Sequence, residues 1–144
     1  MGSALVKSIR AYSKYKGQDG VFAKFMRKYW KFRHLVWSVV TASDFNLNAT
    51  VGERLLLPHP NGIIVHARAV IGDDCMIMQQ VTIGQLSDGP APTIGSRVYI
   101  GAGAKILGGV IIGDGVWVGA NSVVLNDVPA NHTAVGVPAR TISR

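Results

Sequence analysis

The sequence predicts a mainly β solenoid of short strands stacked in coils, entered through a short helical segment. Three observations predict it. Large aliphatic residues recur every six positions over the later two-thirds of the chain, most of them followed by Gly. A second small or apolar residue stands two positions before each of them. The composition is turn-rich and charge-poor, with 17 Gly in 144 residues and 16% charged residues, which suits β structure with many turns rather than a helical bundle.

The first element is helical. Residues 3–16 and 20–41 read as two helices broken at Gly17-Gln18-Asp19-Gly20. In the second, Phe22, Phe25, Met26, Tyr29, Trp30, Phe32, Leu35, Val36 and Val39 recur at three- and four-residue steps. Such a stripe is expected to pack on the body or on a neighbouring subunit. A membrane-surface element also fits, since aromatics beside Lys and Arg suit an anionic headgroup region. Residues 1–40 carry nine Lys/Arg against Asp19 alone, a net of +8, whereas residues 41–144 carry six against seven, a net of −1. The basic balance therefore belongs to this segment. No nucleic-acid recognition motif accompanies it, so no nucleic-acid partner is expected. On this basis the chain divides into a basic aromatic segment, 1–42, and a β domain, 43–144.

In the β domain Ile71, Ile77 and Ile83 form one in-phase run, and Ile94, Ile100, Ile106, Ile112, Val118 and Val124 a second. Ala69, Cys75, Val81, Val98, Ala104, Val110, Val116 and Ser122 stand two positions earlier. A pair at period two inside a period of six means a very short strand with both side chains inward, then a turn. The Gly after most anchors suits an unusual backbone angle or a close approach. Three such faces make a coil around a dry core.

Two interruptions break the period. Eleven positions separate Ile83 from Ile94, so a five-residue insertion rich in Gly and Pro projects as a loop over about 85–92. The phase also shifts by two residues within LPHPNGIIV, residues 57–65, and His59 sits in that shift. Coils beneath an interruption hold it still, which favours function there.

His59 lies between Pro58 and Pro60 with Asn61-Gly62 behind, so its backbone is held. Asp44 stands fifteen residues upstream, nearly one coil. A carboxylate on one ring nitrogen fixes the tautomer and stabilises the imidazolium, and the other nitrogen can then take a proton from a hydroxyl. His59 is the candidate general base and Asp44 its partner. His66, right after the anchor Val65, is the competing histidine. His34 and His132 have no motif support and are expected at the surface. Asp73, Asp74 and Asp114 read as turn formers. Cys75 falls on an inward position and reads as a core filler, not a nucleophile; a single cysteine fits a reducing compartment. No Cys/His cluster has metal-ligand spacing, so no metal is expected. With Lys7 and Arg10 in the first ten residues and no long apolar run, neither a secretory leader nor a bilayer-spanning segment is expected. A cytoplasmic protein is expected, with peripheral contact at the inner membrane face open to residues 1–40.

The text over about residues 44–140 resembles the hexapeptide-repeat acyltransferases. LLLPHPNGIIVHARAVIG is similar to the catalytic-histidine coil of the serine acetyltransferase branch, QQVTIG to the coil after it, and IGAGAKILG and VGVPAR to later coils. The resemblance implies a left-handed parallel β-helix, a homotrimer and acetyl-CoA as acyl donor. It implies His59 as general base paired with Asp44. It further implies a coenzyme A groove between solenoids with Gly84, Gln85, Ala102 and Ala120 along it, and Lys105 and Arg140 near the phosphates.

Two positions depart from that branch. Pro58 stands where the branch has an aspartate for the amino-acid acceptor. Gly89-Pro90-Ala91-Pro92-Thr93 stands where it has an Arg-His pair for the acceptor carboxylate. Each lost charged contact is worth on the order of 2–4 kcal/mol. With a short basic segment in place of a long helical N-terminal domain, the departures lead to an expected sugar O-acetyltransferase of exopolysaccharide or capsule synthesis. Its acceptor would be a free or lipid-linked sugar, with Pro58 and His66 beside it. Serine acetylation for cysteine synthesis is the alternative, and a non-catalytic scaffold the third reading.

Overall fold

The computed structural model describes residues 1–143. Two helices, α1 (Gly2–Tyr15) and α2 (Val21–Thr41), lead into the solenoid. The first coil holds β1 (Asp44–Phe45), β2 (Thr50–Val51) and a bridge at Leu56. The second holds β3 (Ile64–Val65), β4 (Val70–Ile71) and β5 (Met76–Ile77). The third holds β6 (Thr82–Gly84), β7 (Thr93–Ile94) and β8 (Tyr99–Ile100). The fourth holds β9 (Lys105–Leu107), β10 (Ile111–Ile112) and β11 (Trp117–Val118). The last holds β12 (Val123–Val124), a bridge at Val128 and β13 (His132–Gly136). An antiparallel strand, β14 (Ala139–Ser143), closes the chain on β13.

Like faces of successive coils pair in parallel into three sheets, ordered β1-β3-β6-β9-β12, β2-β4-β7-β10 and β5-β8-β11-β13-β14. The result is a parallel β-helix of about five turns, as the repeat predicts. The anchors form its inside: Phe45, Val65, Ile83, Ile106 and Val124 stack in the first sheet, all buried. The residues two positions earlier, Cys75 and Ser122 among them, are buried too. No coil can bury its own inner face, so stacking supplies the core.

At the corners the two reasons for Gly separate. A Cβ on Gly72 would lie 2.7 Å from the Gly95 carbonyl carbon, and one on Gly101 would lie 2.6 Å from the Ala120 nitrogen. Close approach of coils is therefore what the post-anchor Gly serves. The left-handed backbone falls two residues later, at Asp74, Arg97 and Asn121.

The register locates both interruptions. Ile64 pairs with Thr82 and Lys105 with Val123, each eighteen residues on, whereas Asp44 pairs with Ile64 twenty residues on. Leu56 still bridges Met76, so the two extra residues lie between Leu56 and Ile64, around His59. Thr82 pairs with Lys105 twenty-three residues on, and the five extra residues lie in the loop at 85–92.

The helices close the first coil. Leu5, Val6 and Ile9 of α1 join the core beside Phe45, Leu55 and Leu57. α2 packs on α1 and buries only Ala23, His34 and Thr41. Most of the aromatic stripe does not pack on the body: Phe25, Phe32 and Val39 are exposed, whereas Trp30 is partly buried and Phe22 sets its ring edge-on to Tyr15 of α1. α2 is apolar on two faces, and periodicity alone could not say which one meets α1.

Candidate active site

The His59 turn is pinned to the segment that carries Asp44. Gly62 N–H donates to the Thr41 carbonyl at 3.2 Å, and the one proton of Ser43 Oγ is shared between the Thr41 carbonyl at 3.2 Å and the Pro60 carbonyl at 3.4 Å. Ile63 N–H donates to Ser43 Oγ at 3.2 Å, and Asp44 N–H to the Ile63 carbonyl at 2.9 Å. On the other side Gln80 N–H reaches the Asn61 carbonyl at 2.8 Å. Gly62, at φ +62°, supplies the left-handed step the turn needs. The His59 and Asp44 side chains are both exposed. No hydrogen bond or ion pair joins them among the described residues.

Asp44 has a second histidine beside it. His34, expected at the surface, is 8% exposed. It is held because α2 turns this face onto α1. Ser8 Oγ donates to the Leu5 carbonyl at 2.6 Å. With its one proton committed there, it accepts from His34 Nδ1–H at 3.0 Å. Burial lowers the His34 pKa, opposed by the Phe45 carbonyl and the charge of Asp44. A cleft of about 430 Å³ lies between them, lined by Tyr12, Lys31, His34, Asp44 and Asn46. His132 is partly buried, its Nδ1 2.8 Å from the Ala130 carbonyl.

The remaining candidates fall on two edges flanking the first sheet. One edge is the corner entering it. Here lie the His59 turn, Gln79-Gln80, Ala102 and Ala120, each a coil above the last. Asn121 N–H donates to the Ala102 carbonyl at 2.8 Å, and Lys105 Nζ donates to the Gln80 carbonyl at 2.8 Å. The other edge is the corner leaving the sheet, with His66, Gly84, Gln85 and the loop. His66 Nδ1 accepts from Arg68 N–H at 3.2 Å. Arg140 lies apart, opposite Val135 on the closing strand.

Three residues were not marked by the sequence reading. Arg68 reaches up one coil and donates to Gln85 Oε1 and, at 2.9 Å, to the Gly89 carbonyl, so a guanidinium sits at the base of the loop. Gln79 has a buried Oε1 without a partner, on the edge that carries His59. His34 is the third. The QQVTIG text held a signal for Gln79; Arg68 stands at an ordinary corner position. Cys75 is fully buried, which pushes its thiol pKa up. Among the described residues no group of three His, Cys, Asp or Glu is placed to hold a metal ion.

Residues 91–128 match the family model for bacterial transferase hexapeptide (six repeats). Fold and repeat are similar to those of the hexapeptide-repeat transferases, a parallel β-helix built on a period of six. Within that class the similarity is to serine acetyltransferases. That of Helicobacter pylori is 41% identical over 108 residues, 73% of this chain and 63% of its own. The Brucella abortus serine acetyltransferase in complex with coenzyme A superposes with TM-score 0.84 at 34% identity, over 99% of this chain and 56% of that one. The Neisseria gonorrhoeae serine acetyltransferase in complex with serine does so with TM-score 0.81 at 34% identity, over 99% and 57%. The chain spans about half the length of the curated relatives it matches, from 40% to 63%.

These findings overturn the expected sugar acceptor of exopolysaccharide or capsule synthesis. The error has a physical source. A comparison along the sequence takes charges one position at a time, whereas the solenoid brings Arg68, from the coil below, to the loop that lacks a charge of its own at 89–93. The basic helical segment was not foreign to the branch either, since the matched structures cover 99% of this chain, both helices included.

Proposed function

We propose that the chain catalyses transfer of an acetyl group from acetyl-CoA to the hydroxyl of serine. The observation that carries the reading is the His59 turn, pinned by four hydrogen bonds to the segment of Asp44 in a chain so similar to serine acetyltransferases. His59 takes the proton of the serine hydroxyl, and the oxygen attacks the thioester carbonyl. The tetrahedral oxyanion collapses, the carbon–sulfur bond breaks, and the thiolate leaves with the proton returned by the imidazolium. Asp44 stabilises the imidazolium once substrate draws the two side chains together.

A groove between solenoids would use both edges, the His59 edge of one subunit facing the Arg68 edge of the next. That division is what a trimer with shared sites requires. In it Gly84, Gln85, Ala102 and Ala120 line the pantetheine path. Lys105 and, from the closing strand, Arg140 meet the phosphates. Pro58 and His66 border the acceptor, and the Arg68 guanidinium meets its carboxylate. A cytoplasmic location, with peripheral contact at the inner membrane face through residues 1–40, completes the reading.

The test is thiol release from acetyl-CoA against L-serine and a panel of sugars. Serine should support turnover and sugars should not. His59→Ala should lower kcat by roughly 10²–10⁴-fold with melting unchanged; an active variant would place the base elsewhere. Arg68→Ala should raise the KM for serine about tenfold or more with little change in kcat. A wild-type KM would remove Arg68 from the acceptor site.

A further inference from the structure

We infer that the outward face of α2 is a docking surface for an anionic lipid bilayer. At 100° per residue, Ala23, Trp30, His34 and Thr41 share one side of the helix, the side turned to α1. Phe25, Tyr29, Phe32, Val36 and Val39 share the opposite side, and Phe22 lies at its edge with its ring edge-on to Tyr15 of α1. There Phe22 is 68% exposed, Phe25 64%, Phe32 66% and Val39 73%. Single exposed apolar residues are ordinary on a protein surface; a continuous row along a 21-residue helix, about 30 Å long, is not.

Charge selects the occupant. On the same projection Lys24 and Lys28 run along one border of the apolar face, with Lys31 beside them leaning back over the Tyr12 ring of α1, and Arg33 on the other border lies over the Tyr29 and Trp30 rings. α2 contains no Asp or Glu. A second copy laid face to face on this helix would bring like charges together with no acid in α2 to neutralise them. A bilayer bearing phosphate headgroups offers both what the Phe row and what the flanking cations need. No helix among the described residues is long and apolar enough to cross a membrane, so α2 would lie in the plane of the surface. Phe25 and Phe32 would enter the headgroup–acyl boundary, with Lys24 and Lys28 level with the phosphates. This inference is independent of the acetyl-transfer reading: it needs neither His59 nor a substrate.

The experiment is cosedimentation of the full chain with phosphatidylglycerol and with phosphatidylcholine vesicles, for the wild type and Phe25→Ser/Phe32→Ser. The wild type should bind phosphatidylglycerol and not phosphatidylcholine, more weakly as salt rises. The double variant should bind about tenfold less or weaker while melting as the wild type does, because both side chains are already in water. Background binding to phosphatidylglycerol would overturn the inference. So would wild-type binding by the double variant, which would reduce the contact to charge alone. Lipid-free oligomers that the double variant dissociates, with no vesicle binding, would assign the face to a second copy.

Discussion

The inner rows of the solenoid and the outer row of α2 are made of similar residues and end in opposite surroundings. Ile77, Ile83, Ile100 and Ile106 are fully buried; Phe22, Phe25 and Phe32 stand in water. The difference lies in what each period brings next. A period of six returns the same face one coil later, so every anchor meets the next copy of itself in its own chain. A helix can present two apolar faces, and α1 covers only one of them. A repeat closes its own stripe; a lone helix needs something outside the chain.

The widest gap this comparison predicts is in stability. Ile83→Ala removes a fully buried side chain between coils that cannot collapse into the space, and should cost about 2–5 kcal/mol. Phe32→Ser removes a larger side chain and should change stability by no more than about 0.5 kcal/mol. Paired urea denaturation of the two variants measures the gap. A comparable loss for Phe32→Ser would mean that α2 is covered within the folded chain or its oligomer, and the contrast would fail.

Legibility divides along the same line. From Ile71 to Val124 the core was readable almost residue by residue, because the anchors and the positions two before them repeat in phase; Phe45, Leu55, Val128, Ala134 and the α1 residues Leu5, Val6 and Ile9 were not. Cys75 and Ser122 could be placed inside without any structure. The two register slips, around His59 and at 85–92, were readable as missed beats. What was not readable depends on which parts of different coils or helices meet. The face of α2 that turns inward, the burial of His34 and the reach of Arg68 to the loop have no period to announce them. The expected sugar acceptor rested on a linear comparison of the same kind, which sees one coil at a time and does not show Arg68 at the base of the loop.

His34 is where the two regions join, and it should make that junction sensitive to acid. The imidazole on α2 bonds Ser8 on α1 and lies beside Asp44 and Phe45 of the first coil, with Tyr12 and Lys31 lining the same cleft. Burial lowers its pKa from the ordinary 6.5. As pH falls through 6.5, the unfolded chain takes up a proton that the folded chain refuses, so stability falls. The slope from this residue is at most about 1.4 kcal/mol per pH unit, and the loss ends below the folded-state pKa. The contribution is fully present above 6.5. His34→Gln keeps a donor for Ser8 and removes the titration. Urea midpoints between pH 7.5 and 5 should therefore fall less steeply in the variant than in the wild type, a smaller effect than the loss of a core isoleucine. Equal slopes would assign the acid sensitivity to another group and leave the helix–solenoid junction indifferent to pH.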